Sequence, residues 1–158
     1  MSSASRTLDP ARLAPAELAA WRGFLRVHSA LIKELDAELE AHHGIPLSSY
    51  EVLIALANAP GQRLRMSELA DHALLSRSGM TRLVDRLQKQ ELIARERCEG
   101  DARGAYAALT EKGRRLLAKA RPTHLAGVRE RFLRNLTDAE MAALAEVWER
   151  LVPGAAKT

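Results

Sequence analysis

Apolar residues recur at helical spacing along most of this chain. Between Pro15 and His43 no breaker interrupts Leu18, Trp21, Leu25, His28, Ile32, Leu35 and Leu39, which step 3-4-3-4-3-4. That is a heptad seam with one histidine in it. The helix begins at a proline and stops at Gly44, both favoured positions. Roughly 28 residues make a rod about 40 Å long. A compact small domain does not need one, so the seam predicts packing against another chain.

The pattern continues in shorter pieces. A second helix is predicted from Pro46 to Asn58, capped at Ser48 or Ser49 and stopped before Pro60-Gly61. Residues 62–65 form a connector or a short strand. Ser67 is placed to cap a third helix from Glu68 to His72 or Ala73, and Ser76 a fourth running to about Gln90. Residues 92–110 lose the helical period. Ile93–Cys98 and Ala105–Leu109 flank a turn-forming stretch, Glu99–Gly104, and predict a hairpin. Thr110 caps a fifth helix from Glu111 to about Arg134, which Pro122 is expected to kink or break. A capping box, Thr137 to Glu140, opens the last helix, with a seam of Met141, Leu144, Trp148 and Leu151 before Pro153-Gly154.

Composition agrees with a mostly helical fold. Ala and Leu number 28 and 25, a third of the chain, against 16 Val, Ile and Thr together, so a large sheet is excluded. The 158 residues suffice for one domain with an appended oligomerisation element. A single cysteine, Cys98, rules out an internal disulfide and favours a cytoplasmic setting. No apolar run has the length of a membrane helix, and no signal-type block precedes Pro10. The formal net charge of +4 permits an anionic partner without requiring one.

Two short helices, a tight turn and a hairpin make the winged form of a helix-turn-helix. The fourth helix carries the relevant chemistry. With about 100° per residue, Leu83, Val84 and Leu87 fall within about 60° of Met80 and form a core stripe. Ser78, Arg82, Arg86 and Lys89 lie on the far side, Thr81 and Asp85 border it, and Arg77 stands at the start. Arginines bind guanine edges in bidentate fashion, and Ser, Thr and Lys hold phosphates. The backbone N–H groups at Ser76 to Ser78 also suit a phosphate. Arg95 and Arg97 alternate along one hairpin strand, and Arg103 stands at its turn, as in a wing reaching a minor groove. A charged face is also what many surface helices carry, and a hairpin of this kind can simply shield a core.

From Leu47 to Gly113 the chain resembles the MarR family of winged-helix transcription regulators. The matching pieces are Tyr50-Glu51-Val52-Leu53, Met66-Ser67-Glu68-Leu69-Ala70, the run Ser76 to Leu87, Asp101-Ala102-Arg103-Gly104 and Leu109-Thr110-Glu111-Lys112-Gly113. Their order makes the similarity specific. Two positions depart from the family pattern: Glu91 where glycine is usual, and Ala102 where a second arginine often stands.

The resemblance implies a mostly helical homodimer with a small β-hairpin wing. Residues 13–45 and 111–153 would form a helical dimerisation lobe, 46–110 a winged helix-turn-helix DNA-binding domain, and 1–12 a disordered tail. Two recognition helices would enter major grooves about 34 Å apart on a pseudo-palindromic duplex. Its implied DNA-contact residues are Ser67, Ser76, Arg77, Ser78, Thr81, Arg82, Arg86, Lys89, Arg95, Arg97, Asp101 and Arg103. Arg103 would enter the minor groove, and Asp101 would orient an arginine. Family members commonly bind small aromatic or phenolic anions between their two lobes, and Trp21, His28 and Tyr50 are candidates for such a wall or for dimer core. The implied function is a repressor relieved by such a ligand.

The alternatives are a redox-responsive regulator acting through Cys98 and a winged-helix module that binds protein. Adjacent His42 and His43 point about 100° apart and do not form a chelating pair, so no metal is expected. No cofactor is expected either. No phosphate loop, nucleophile elbow or HExxH stretch supports an enzyme.

Overall fold

Gly44, in the left-handed conformation at φ 66°, ends the long first helix, and the chain enters the second after only Ile45 and Pro46. This computed structural model describes residues 12–72, 77–97 and 105–156, with backbone only at 70–72, 77 and 78. The tail expected over 1–12 therefore lies outside the described residues, apart from Arg12.

The helices are α1 (Pro15–His43), α2 (Leu47–Asn58), α3 (Met66–His72), α4 (Arg77–Lys89), α5 (Glu111–Arg131) and α6 (Asp138–Leu151). Three strands, β1 (Arg63–Arg65), β2 (Ile93–Arg97) and β3 (Ala105–Leu109), form an antiparallel sheet in the order β1-β3-β2. The residues 62–65 connector thus becomes a true strand, with Leu64 opposite Ala107. The hairpin pairs Ile93 with Leu109 and Arg97 with Ala105.

The core lies where α2, α4 and the sheet meet the ends of α1 and α5. Leu39, Leu53, Leu56, Val84 and Leu87 are fully buried there. The stripe read from α4, with Met80 and Leu83 added, is buried as its spacing predicts.

Several boundaries differ from the sequence reading. The start of α2 is capped by neither Ser48 nor Ser49. Pro46 occupies the cap position, and Asp36 of α1 accepts the Leu47 N–H at 2.7 Å. Ser49 is buried instead. Helix α3 begins at Met66, and Glu68 reaches back to the Arg65 N–H at 2.8 Å, so Ser67 sits in the first turn rather than at the cap. Pro122 does not break α5, which runs through it to Arg131 before a short 3-10 turn at Leu133–Asn135. Leu117, Ala120 and Gly127 are buried on either side of Pro122, so packing holds the helix across the missing N–H.

Two predicted caps are formed. Thr110 Oγ1 accepts the Gly113 N–H at 3.0 Å, and Thr137 with Glu140 makes a reciprocal box. The exit from α4 closes with Leu92 N–H to Leu87 C=O and Glu91 N–H to Gln88 C=O, both at 2.9 Å. That is a Schellman arrangement. Its left-handed position, φ 60°, is held by Glu91.

The seam of α1 divides. Leu35 and Leu39 are buried, whereas Trp21, Leu25 and Ile32 are 54%, 44% and 41% exposed. Helix α6 buries none of its residues in the single chain. Its Leu151 and the following Val152 are 69% and 61% exposed.

Candidate nucleic-acid interface

Helix α4 fixes the site. Its inner face is anchored in the core through Met80, Leu83, Val84 and Leu87, so the outer face has a fixed direction. Arg82, Arg86 and Lys89 are exposed there and carry no ion pair among the described residues. Thr81 is exposed on the same helix. A shallow groove of about 240 Å³ runs between α4 and the start of α2, lined by Ser48, Gly79, Arg82, Leu83 and Arg86. It puts a hydroxyl beside two guanidinium groups. Local sequence assigns Ser48 no role beyond a helix cap, because nothing in it shows that α2 begins against α4.

The sheet adds cations of a different kind. Arg95 shares its face with Ile93 and, across the ladder, with Ala107, so its side chain points toward the helices. It forms an ion pair with Asp85 of α4 at 2.5 Å. The strand face expected to carry Arg95 and Arg97 outward therefore delivers Arg95 already paired. Arg97, at the strand end, is exposed.

On the other face Arg63 and Arg65 lie 4.9 and 5.7 Å from the centre of the Tyr106 ring. Arg63 also meets Glu96 at 3.1 Å. Stacking of this sort orients a guanidinium. The alternation Arg63-Leu64-Arg65 was the one sequence signal for this pair.

Ser67 is exposed in the first turn of α3. Ser76, Asp101, Arg103 and Cys98 lie outside the described residues, as do the side chains of Arg77 and Ser78. The readings that rest on them, the wing tip and the thiol switch included, are therefore carried by the sequence alone.

A second place is apolar. Between α1 and α6 a cavity of about 370 Å³ is lined chiefly by Phe24, Val27, His28, Leu31, Leu144 and Trp148. His28 is its polar member. Trp21, His28 and Trp148 each lie against Phe24, with ring centroids 5.7–6.2 Å apart. The structure does not bring the three predicted wall residues together. His28 lines the cavity and Trp21 stacks beside it on Phe24. Tyr50 is buried in the core against His124, at 4.5 Å between centroids. Burial pushes the Tyr50 hydroxyl above its ordinary range, with Arg121 opposing, and pushes His124 below its own, with Glu38 opposing.

The remaining histidine pair is used structurally. His42 Nδ1 bonds the Glu38 carbonyl oxygen at 2.9 Å, and His43 Nε2 bonds the Thr123 hydroxyl at 2.8 Å. Among the described residues no cluster of three His, Cys, Asp or Glu could hold a metal ion. No described helix is long and apolar enough to cross a membrane.

Known proteins share this arrangement. The model of the MarR family matches residues 43–104. The HTH-type transcriptional regulator MhqR of Bacillus subtilis (strain 168) is 31% identical over 128 residues, covering 79% of this chain and 86% of that protein. The solved structure of AbsC, a MarR family transcriptional regulator from Streptomyces coelicolor, aligns with a TM-score of 0.84 at 34% identity. It covers 89% of this chain and 94% of that one. Sco3205 from the same organism, a family member solved in complex with DNA, has a TM-score of 0.84 and 35% identity over 90% of this chain and 96% of its own.

Proposed function

From its membership of the MarR family of winged helix-turn-helix transcription regulators, we propose that this chain acts as a homodimer that occupies a pseudo-palindromic duplex operator and represses by blocking it. The observation that carries the reading is the division of α4. One face is buried in the core, and the other offers Arg82, Arg86 and Lys89 with no acidic partner among the described residues. Arg77, Arg82 and Arg86 take base edges, while Ser67, Ser76, Ser78, Thr81 and Lys89 hold phosphates. Arg103, with Asp101 orienting an arginine, serves the wing.

The dimer rests on the exposed seam of α1 and on α6, none of whose residues is buried within one chain. A second copy would cover Trp21, Leu25 and Ile32. The cavity beside that seam is of ligand size. A ring with one hydroxyl fits its apolar wall, with His28 as the polar contact. Such a ligand relieves repression by favouring a dimer whose recognition helices no longer match the half-sites.

The test is affinity for a duplex selected from a random library, measured at two salt concentrations. Tight, sequence-selective and salt-sensitive binding supports the regulator. Equal binding to all duplexes, or none, overturns it and leaves the protein-binding winged module. Phenol and benzoate, titrated against the bound duplex with tryptophan fluorescence as the readout, test the effector.

A further inference from the structure

The joint between α1 and α2 is short and tied from two sides. Only Gly44, Ile45 and Pro46 separate the helices, and Ile45 is buried. The Asp36 carboxylate, half-buried about two turns before the end of α1, reaches across to the Leu47 N–H at 2.7 Å. Leu47 is the first residue of α2, so that N–H has no partner inside its own helix. The carboxylate also places negative charge at the positive end of the α2 dipole.

Neighbouring contacts tie α1 to α5 rather than to α2. Glu38 meets Arg131 at 3.0 Å, and His43 meets Thr123 at 2.8 Å. Gly127 of α5 sits so close to α1 that a Cβ there would overlap Glu38 Oε2. Helices α1 and α5 therefore form a stiff pair, which α2 meets at the joint and through Tyr50, whose ring lies on His124 of α5. Beyond the joint, α2 shares a groove with α4 through Ser48, Gly79, Arg82 and Arg86. A rotation at the joint is carried to the recognition helix.

We propose that Asp36 is a positioning residue: by capping α2 from the dimer helix, it fixes the angle between the dimer helices and the DNA-reading unit, and so sets the half-site spacing the protein accepts. This inference rests on the dimeric DNA-binding reading above. Its chemistry is that of one charge-assisted hydrogen bond in a half-buried setting. Its leverage comes from its place at the pivot.

The test uses the full chain and the duplex selected by the wild type, rebuilt with the two half-sites moved apart or together by single base pairs. The wild type loses about tenfold in affinity for each step, the cost of about one mismatched base pair. Asp36→Ala flattens that preference to about threefold or less while half-site sequence preference stays. Asp36→Asn, whose amide oxygen still accepts, keeps the wild-type profile. Pro46→Gly loosens the same joint with Asp36 in place, and flattens the profile as Asp36→Ala does. It also carries the test if Asp36→Ala fails to fold by circular dichroism. A wild-type spacing profile in the folded members of the Asp36→Ala and Pro46→Gly pair overturns the inference and leaves the regulator reading intact. A wild type that selects no duplex overturns both.

Discussion

The imidazole of His124, on α5, lies on the Tyr50 ring of α2 with 4.5 Å between centroids, and its Nδ1 is buried without a hydrogen-bond partner among the described residues. Desolvation is the reason its pKa falls below the ordinary value, and the Glu38 carboxylate across on α1 opposes the fall. In the unfolded chain the ring protonates near its usual 6.5, and in the folded chain at a lower pH. Between the two, the unfolded state binds more protons, so stability falls as pH drops through that window. His124→Phe keeps a ring against Tyr50 and cannot take a proton. Its melting temperature is expected to fall less than that of the wild type between about pH 7.5 and about pH 5. Parallel melting curves across that range would exclude His124 as a source of acid sensitivity.

Gly113 marks where the hairpin is clamped to α5. A Cβ there would overlap the carbonyl oxygen of Leu92 and approach Leu109 Cδ1 to 2.8 Å. The Thr110 N–H donates to the same Leu92 carbonyl at 3.2 Å, and the Thr110 hydroxyl shares its hydrogen between that oxygen at 2.9 Å and the Glu91 carbonyl at 2.7 Å, so the Leu92 oxygen has little freedom to move. Gly113→Ala is expected to cost about 1–3 kcal/mol as an overpacked contact. Urea denaturation measures it directly. A loss below about half a kcal/mol, the range of an ordinary surface change, would mean that the junction yields.

Glu91 offers the opposite experiment. It holds the left-handed turn after α4 at φ 60°, a conformation that suits glycine. Its only side-chain partner among the described contacts is exposed Lys112, at 3.0 Å, a pair worth little. Glu91→Gly removes a strain of about 1 kcal/mol or more and adds some chain entropy to the unfolded state. The net expectation is a gain of up to about 1 kcal/mol, read as a higher urea midpoint. A lower midpoint would show that the glutamate, not the turn, stabilises this corner.

These particular residues also show what the sequence discloses and what it hides. The buried stripe of α4, the hairpin flanks, the Thr110 cap and the Thr137 box are local patterns, and local patterns survive folding. The misplaced boundaries have a different origin. Ser48 and Ser49 looked like caps, but Asp36, eleven positions before Leu47, took that role through space. Pro122 looked like a break, yet packing of Leu117 and Gly127 outweighs one lost hydrogen bond. Glu91 was legible as a departure from glycine, and only the backbone reveals that it adopts the glycine conformation anyway. The exposed seam of α1 was readable because nothing within a small winged domain could cover it. The pairing of Arg95 with Asp85 was not, since a strand's inward face depends on the register of its neighbour.

That pairing separates the cations in their effect on DNA. Arg82 and Arg86 have no ion-pair partner among the described residues on the outer face of α4, so replacing either with Ala is expected to weaken binding to the selected duplex by about 1–3 kcal/mol and to relax its sequence preference. Lys89→Ala is expected to weaken all duplexes alike and lower the salt slope by about 1. Arg95 is already neutralised by Asp85 at 2.5 Å. Arg95→Ala should therefore change affinity less than Arg82→Ala does, and the salt slope hardly at all. Asp85→Asn would release the guanidinium and remove a like charge from beside the phosphates, so binding to any duplex should tighten and its salt slope steepen. If Arg95→Ala weakens binding as much as Arg82→Ala, the ion pair must open on DNA, and Arg95 then belongs to the contact surface itself.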